Sequence, residues 1–139
     1  MLPPPDAASI LDEVNPLHVH HVSINVENAE ESIAFYTEVL GGTVRDDRPD
    51  FGFGGAWINL GSTQVHLIEG SVPPALGQHF ALLFENVDDV VDELRGRGLA
   101  VNDAKVVGPN RQTFIEDPSG NTIELHQLGH STNVGHSTN

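Results

Sequence analysis

Between residues 21 and 26 the chain alternates, with Val22, Ile24 and Val26 apolar and His21, Ser23 and Asn25 polar. This is the period-two signature of a strand with one covered face. The period then changes. Asn28 stands where a helix cap belongs, Glu31 follows three residues later, and Ala29, Ile33, Tyr36 and Leu40 recur at helical spacing until Gly41-Gly42. Runs at Thr43 to Asp46, Ala56 to Leu60 and Thr63 to Ile68 predict three further strands, with Gly61-Ser62 as a turn. The series recurs at a single offset of 58 residues, carrying His21 onto His79, Glu27 onto Glu85, Asn28 onto Asn86 and His66 onto Glu124. In the second copy Asn86 and Asp89 form the cap, and Val87, Val91 and Leu94 the stripe, ending at Gly98. Strands follow at Val101 to Val106, Thr113 to Glu116 and Asn121 to Gln127, with Asp117-Pro118-Ser119-Gly120-Asn121 as the last turn. A duplicated strand–helix–three-strand unit is the economical reading.

Residues 1–17 read as a lead-in, with three consecutive prolines and then a short helix over Ala7 to Val14. Residues 129–139 repeat Gly-His-Ser-Thr-Asn and are expected to be a disordered tail. The repeat itself fills 18–128, as module one (18–75) and module two (76–128). Each half of roughly 50 to 55 residues is marginal alone, so the two are expected to fold as one unit or to exchange halves in a homodimer.

Strand parity selects the candidate chemistry. If the apolar positions of the first strand face their helix, His21, Ser23 and Asn25 face the other way. The same argument puts Gln64, His66 and Ile68, then His79, Ala81 and Leu83, then Thr122, Glu124 and His126, on open faces. His21, His66, His79 and Glu124 therefore point toward one concave surface if the sheets curl around it. Three imidazoles and a carboxylate suit one divalent transition metal: zinc, nickel, cobalt, manganese or ferrous iron. A position left open to water makes such an ion catalytic, and a closed tetrahedral set makes it structural.

Composition narrows the partners. Twenty acidic residues against six basic ones give a formal net charge of −14, which disfavours nucleic acid and anionic membrane surfaces. Cysteine is absent, removing disulfides, thiolate metal sites and a cysteine nucleophile. No run reaches the roughly 18 apolar residues of a membrane span, and the first residues lack a basic segment followed by an apolar one. A cytoplasmic protein acting on a small molecule is the expectation.

At this point the residues resemble the vicinal oxygen chelate superfamily, which includes glyoxalase I, methylmalonyl-CoA epimerase, fosfomycin-resistance proteins and extradiol dioxygenases. The resemblance spans about residues 18 to 128. It rests on His21-Val22-Ser23, Phe35-Tyr36 leading to Val39-Leu40-Gly41, Gln64-Val65-His66-Leu67, His79-Phe80-Ala81, and Asp117-Pro118-Ser119-Gly120-Asn121 followed by Ile123-Glu124-Leu125. It implies an α+β fold of two tandem βαβββ modules whose sheets form a cup around a divalent metal. Its ligands would come from the first and last strands of each module, the four positions reached by parity.

The implied chemistry is stabilisation of negative charge on two adjacent substrate oxygens while a base moves a proton. Glu124 matches the position of the proton-shuttling glutamate of the glyoxalase branch. His66 stands where glyoxalase I has its other metal-site glutamate, and a metal-bound neutral imidazole does not readily act as a base. The resemblance therefore points away from authentic lactoylglutathione lyase activity and toward a glyoxalase-like isomerase or lyase, or a single-base reaction.

Two other classes remain. An extradiol-type dioxygenase would take His66, Glu124 and either His21 or His79 as the two-histidine, one-carboxylate set for ferrous iron. A non-catalytic drug-binding protein would need no metal. Candidate substrate contacts are Arg111, read as lying just before the third strand of module two, Phe53 and Trp57 in an aromatic, glycine-rich stretch, and His126 beside Glu124. Arg45 and Arg48 fall near the cup rim. Tyr36 belongs to the helical stripe and reads as structural.

Overall fold

The computed structural model describes residues 14–130. The expected helix at 7–14, apart from Val14, and the tail from 131 onward lie outside the described residues. The chain forms two four-stranded sheets, each with one helical segment, in the α+β arrangement of two tandem βαβββ modules. Module one contains β1 (His21–Val26), α1 (Ala29–Ala34) continuing into a π-helical stretch (Phe35–Val39), β2 (Thr43–Val44), β3 (Gly55–Leu60) and β4 (Thr63–Glu69). Module two contains β5 (His79–Leu83), α2 (Val87–Gly96), β6 (Lys105–Val107), β7 (Asn110–Glu116) and β8 (Thr122–Leu128). The strand orders are β1-β4-β3-β2 and β5-β8-β7-β6, with β1 parallel to β4 and β5 parallel to β8. Among the described residues no strand of one sheet pairs with the other, so the sheets do not close into a cup.

Both helices start at the expected caps. Asn28 Oδ1 accepts the Glu31 amide at 2.9 Å and Asn86 Oδ1 the Asp89 amide at 3.1 Å, each satisfying a donor the helix cannot. A second cap comes from the end of the sheet. Glu69 Oε2 accepts the Ala29 amide and Gln127 Oε1 the Val87 amide, both at 2.8 Å. Gln127 is buried whereas Glu69 is exposed. A neutral amide costs less than a carboxylate at the buried position.

The first helix keeps its expected stripe, with Tyr36 buried and Ile33 and Leu40 packed against the core, and adds to it. Ser32, Phe35 and Tyr36 are the residues buried, because the backbone widens from α- to π-helical at Phe35. Thr37 Oγ1 donates to the Ile33 carbonyl at 2.8 Å at that point, a back-bond of the kind that bends helices. Adjacent aromatic residues thereby both enter the core.

Tyr36 ties the modules together. Its hydroxyl donates to Asp117 Oδ2 at 2.8 Å, and burial, reinforced by that carboxylate, pushes the phenol far above its ordinary pKa. Asp117 Oδ1 accepts the Ser119 and Asn121 amides, both at 2.9 Å. Ser119 Oγ accepts the Glu27 amide and Asn121 Nδ2 donates to the Asn25 carbonyl. The Asp117–Asn121 turn is thus both a hairpin and a bracket on β1, and Gly120, with φ +85°, supplies the left-handed residue it needs.

The third strand pair of module two is also shifted. Residues 101–104 stay outside β6 because side chains take their carbonyls: Arg95 binds Val101 O at 3.0 and 2.7 Å, and Thr113 binds Asn102 O at 3.0 Å. β7 consequently begins at Asn110 after the Gly108-Pro109 turn, placing Arg111 inside the strand. No helix among the described residues is long and apolar enough to cross a membrane.

Candidate active site

On the first sheet the covered face carries Ala56, Ile58, Val65 and Leu67 in the core, and the alternate residues face outward. The register sets Ser23 beside His66 on one side and Trp57 beside it on the other. The rings form a continuous stack. His21 and His66 lie 3.9 Å apart between centroids at 10°, and Trp57 and His66 4.5 Å apart at 12°. His66 Nε2 pairs with Gln64 Oε1 at 2.8 Å, so Nε2 is the protonated nitrogen, since that oxygen only accepts. Burial first, and then the His21 imidazole, hold His66 below the ordinary imidazole pKa.

On the second sheet Glu124 is only 9% exposed, yet it lies on the outward parity of β8. His79 Nε2 approaches its Oε1 at 3.0 Å and His126 Nδ1 its Oε2 at 2.6 Å. One carboxylate is therefore held between two imidazoles. His79 Nδ1 faces the Gly77 carbonyl at 2.9 Å and must donate to it, which aims Nε2 at the open face. The Gly77 carbonyl first, and the bond to Glu124 next, raise the His79 pKa above its ordinary value. Fixing Nδ1 on a backbone carbonyl is the usual way a protein presents Nε2 as a metal ligand. Phe114, opposite Glu124 in β7, packs edge-on against His79 at 5.4 Å.

The four parity-selected donors thus fall into two pairs, His21 with His66 and His79 with Glu124. Among the described residues no group of three or more His, Asp or Glu side chains is arranged to hold a metal ion. His79 and His126 are bonded to opposite oxygens of Glu124 and so do not converge on one point. A metal site of all four residues does not fit a single chain in this arrangement.

The other expected contacts divide. Trp57 and Phe53 border a pocket with His66 on the first sheet, and His126 touches Glu124. Arg111 corrects the expectation. Its strand begins three residues earlier than the pattern suggested, so it shares the parity of Thr113 and Ile115 and points to the helix side, where Nη2 binds Asp88 Oδ1 at 2.7 Å. Gln64 and Phe114 were missed. The signal for Gln64 was local, its place two residues before His66 on the same strand face, whereas that for Phe114 was cross-strand placement, readable only once the register is known.

The model of the Glyoxalase/Bleomycin resistance protein/Dioxygenase superfamily matches residues 18–125. The chain belongs to this superfamily. It is 30% identical over 121 residues to lactoylglutathione lyase of Salmonella typhimurium, covering 76% of this chain and 88% of that protein. It is 26% identical over 128 residues to mitochondrial methylmalonyl-CoA epimerase of Mus musculus, covering 78% and 72%. Among solved structures it is similar to TnmS3, an antibiotic binding protein from Streptomyces sp. CB03234, with a TM-score of 0.69, 26% identity, and coverage of 83% and 98%. The superfamily thus joins catalytic and non-catalytic members around one fold.

Proposed function

We propose that this chain is a divalent-metal-dependent, glyoxalase-like isomerase or lyase that binds a small substrate through two adjacent oxygens. The observation that carries the reading is Glu124: a carboxylate nearly removed from water, on an outward-facing strand position, gripped by two imidazoles. A buried acid so placed is out of keeping with a purely structural surface and suited to moving a proton. His79 orients it from one side and His126 from the other, and His126 offers a path for that proton to solvent.

The two half-sets are completed between two copies. His21 and His66 of one chain would join His79 and Glu124 of a second across a two-fold axis, giving two identical sites per dimer. The apolar residues left exposed around the second half-set, Leu83 and Phe114, suit the edge of such an interface. With the ion in place, its charge would stabilise the oxygens of a deprotonated substrate. The ligands on this chain allow zinc, nickel, cobalt, manganese or ferrous iron.

Elemental analysis of protein purified without a metal-affinity column tests this reading. About one transition-metal equivalent per chain is expected in the wild type, and Glu124→Ala should lose it. A metal-free wild type, even after supplementation with each of the five ions, would leave a small-molecule binder. The aromatic wall around Trp57 and the likeness to TnmS3 support that second reading.

A further inference from the structure

The chain has five arginines, and four of them are spent on carboxylates: Arg45 on Asp47, Arg95 on Asp103, Arg97 on Glu93 and Arg111 on Asp88. Arg48 has no ion pair among the described residues. In a chain of net charge −14 acids outnumber bases more than threefold, so an unpaired guanidinium is the less expected outcome. Arg48 is only part exposed. Its carbon lies 5.1 Å from the Phe51 ring centroid and 5.6 Å from that of Phe53, and one Nη2 bond reaches the Phe53 carbonyl at 3.0 Å. Of the five N–H donors of a guanidinium, the others are left for a ligand.

What surrounds Arg48 is flat and apolar. Phe51 stacks on Phe53 and tilts against Trp57, which in turn stacks on His66. These groups wall a pocket of about 190 Å³ whose floor reaches His66 and Leu67. An apolar cavity of about 150 Å³ takes benzene, so the space is that of one six-membered ring with a small substituent. The gap is also bounded by β3, where Gly55 has its α-carbon against the Leu67 carbonyl and the Arg48 guanidinium. A Cβ there would lie 2.1 Å from that carbonyl and 3.1 Å from Arg48 Nη2.

We propose that this pocket binds a single planar ring bearing a carboxylate, with the ring against Trp57 and Phe51 and the carboxylate on the Arg48 guanidinium. Arg48 is then a specificity residue, selecting an aryl carboxylate over a neutral ring. A bound ring at Trp57 lies beside His66, which places a substituent within reach of the proposed metal site. The assignment rests on the outward face of the first sheet being the substrate side, as the proposed function has it.

Trp57 is the sole tryptophan, so intrinsic fluorescence reports from the pocket wall itself. Benzoate, benzamide and acetate are titrated into wild type and Arg48→Gln, with chelator and again with zinc, while metal content is measured on the same samples. Benzoate is expected to change the Trp57 emission saturably, with benzamide at least about 10-fold weaker for want of the bidentate charge-assisted contact and acetate at least about 10-fold weaker for want of the ring. Arg48→Gln should weaken benzoate by a similar factor and leave benzamide as it was.

A merely bracing Arg48 predicts otherwise: the variant would weaken benzoate and benzamide alike. Either that result, or equal binding of the two ligands by wild type, or no saturable response, overturns the proposal. Arg48→Lys, which keeps the charge without the fork, should retain part of the preference if Arg48→Gln fails to fold. Zinc bound without a benzoate response would sink the pocket alone. Selective benzoate binding by a protein that takes up no metal would sink the metalloenzyme alone.

Discussion

If the two half-sets meet between copies, two inactive variants should repair each other. His21→Ala removes a donor from the first sheet and Glu124→Ala the carboxylate of the second. Even residues that only orient metal ligands are worth about 10- to 100-fold in affinity, so loss of a ligand should leave each parent near zero occupancy after dialysis. Mixed in equal amounts and allowed to exchange, the variants give about half heterodimers by random assortment. In each heterodimer one site takes its first-sheet pair from the Glu124→Ala chain and its second-sheet pair from the His21→Ala chain, and is intact; the other lacks both residues. One good site in two, in half of the dimers, is about a quarter of the wild-type metal. The assay is elemental analysis of the re-isolated mixture, with wild type and each parent carried alongside. Were all four ligands supplied by one chain, no heterodimer would hold an intact site. Recovery indistinguishable from zero would then refute the split-site reasoning, provided that exchange is verified with a mass-tagged parent.

Tyr36→Phe should destabilise the fold by about 1.5–3 kcal/mol, the range for a hydrogen bond to a charged group. Asp117 keeps its other partners, so urea denaturation showing a loss beyond about 5 kcal/mol would mean that the bracket is misread. Arg111→Gln should lower stability by about 1–3 kcal/mol through the lost contact to Asp88 and leave metal content unchanged; a loss of metal would restore Arg111 to the site. Ser32 is fully buried with its hydroxyl unpartnered among the described residues, so Ser32→Ala should be neutral or stabilising by up to about 1 kcal/mol, checked by thermal melting. In metal-free protein, NMR titration should find His66 below and His79 above the ordinary imidazole value. The linked stabilities have opposite signs. The His66 contribution is present above the unfolded value and fades as pH falls through the folded one, whereas that of His79 is present below the unfolded value and fades as pH rises through its folded one. The reverse order of titration would contradict the burial assigned to His66 and the hydrogen bonds assigned to His79.

Much of the fold was legible because its signals are local. Asn28 and Asn86 cap helices for reasons contained in four residues, and alternation in β1, β4, β5 and β8 assigns faces without knowledge of neighbours. The failures are non-local. Nothing in the spacing of apolar residues announces the widening at Phe35, since a π-helical insertion is one extra residue in an otherwise normal helix. The start of β6 was displaced by Arg95 and Thr113, whose side chains take carbonyls that a strand would have used. Arg111 was misplaced because β7 begins at Asn110 and not at Thr113, and a strand begun at the wrong residue carries no reliable parity for the residues before it. For the candidate site, parity assigns each side chain to a face of its own sheet but has no means of fixing the distance between sheets.

The duplication itself shows where a gapless comparison ceases to follow the structure. The offset of 58 carries His66 to Glu124 and both helix caps correctly, and would carry Trp57 to Ile115. The register instead sets Trp57 opposite His66 and Phe114 opposite Glu124. Ile115 is in the core, on the other face of its strand. The third strand has therefore slipped by one residue relative to the fourth. The turns differ accordingly: Leu60 pairs with Thr63 across Gly61-Ser62, while Glu116 pairs with Thr122 across the five-residue bracket that grips β1. A slip of one inverts every side chain, so core and open residues exchange places in a comparison by offset alone. In register, each module presents an aromatic ring directly across from its last-strand donor. In the first module that ring is Trp57 and it stacks on the donor, His66; in the second it is Phe114 and it turns edge-on to His79. The two copies thus share one plan, a polar last-strand side chain beside an aromatic wall, and differ in what borders that wall: a pocket lined by Arg48 in one, and a buried carboxylate between two histidines in the other.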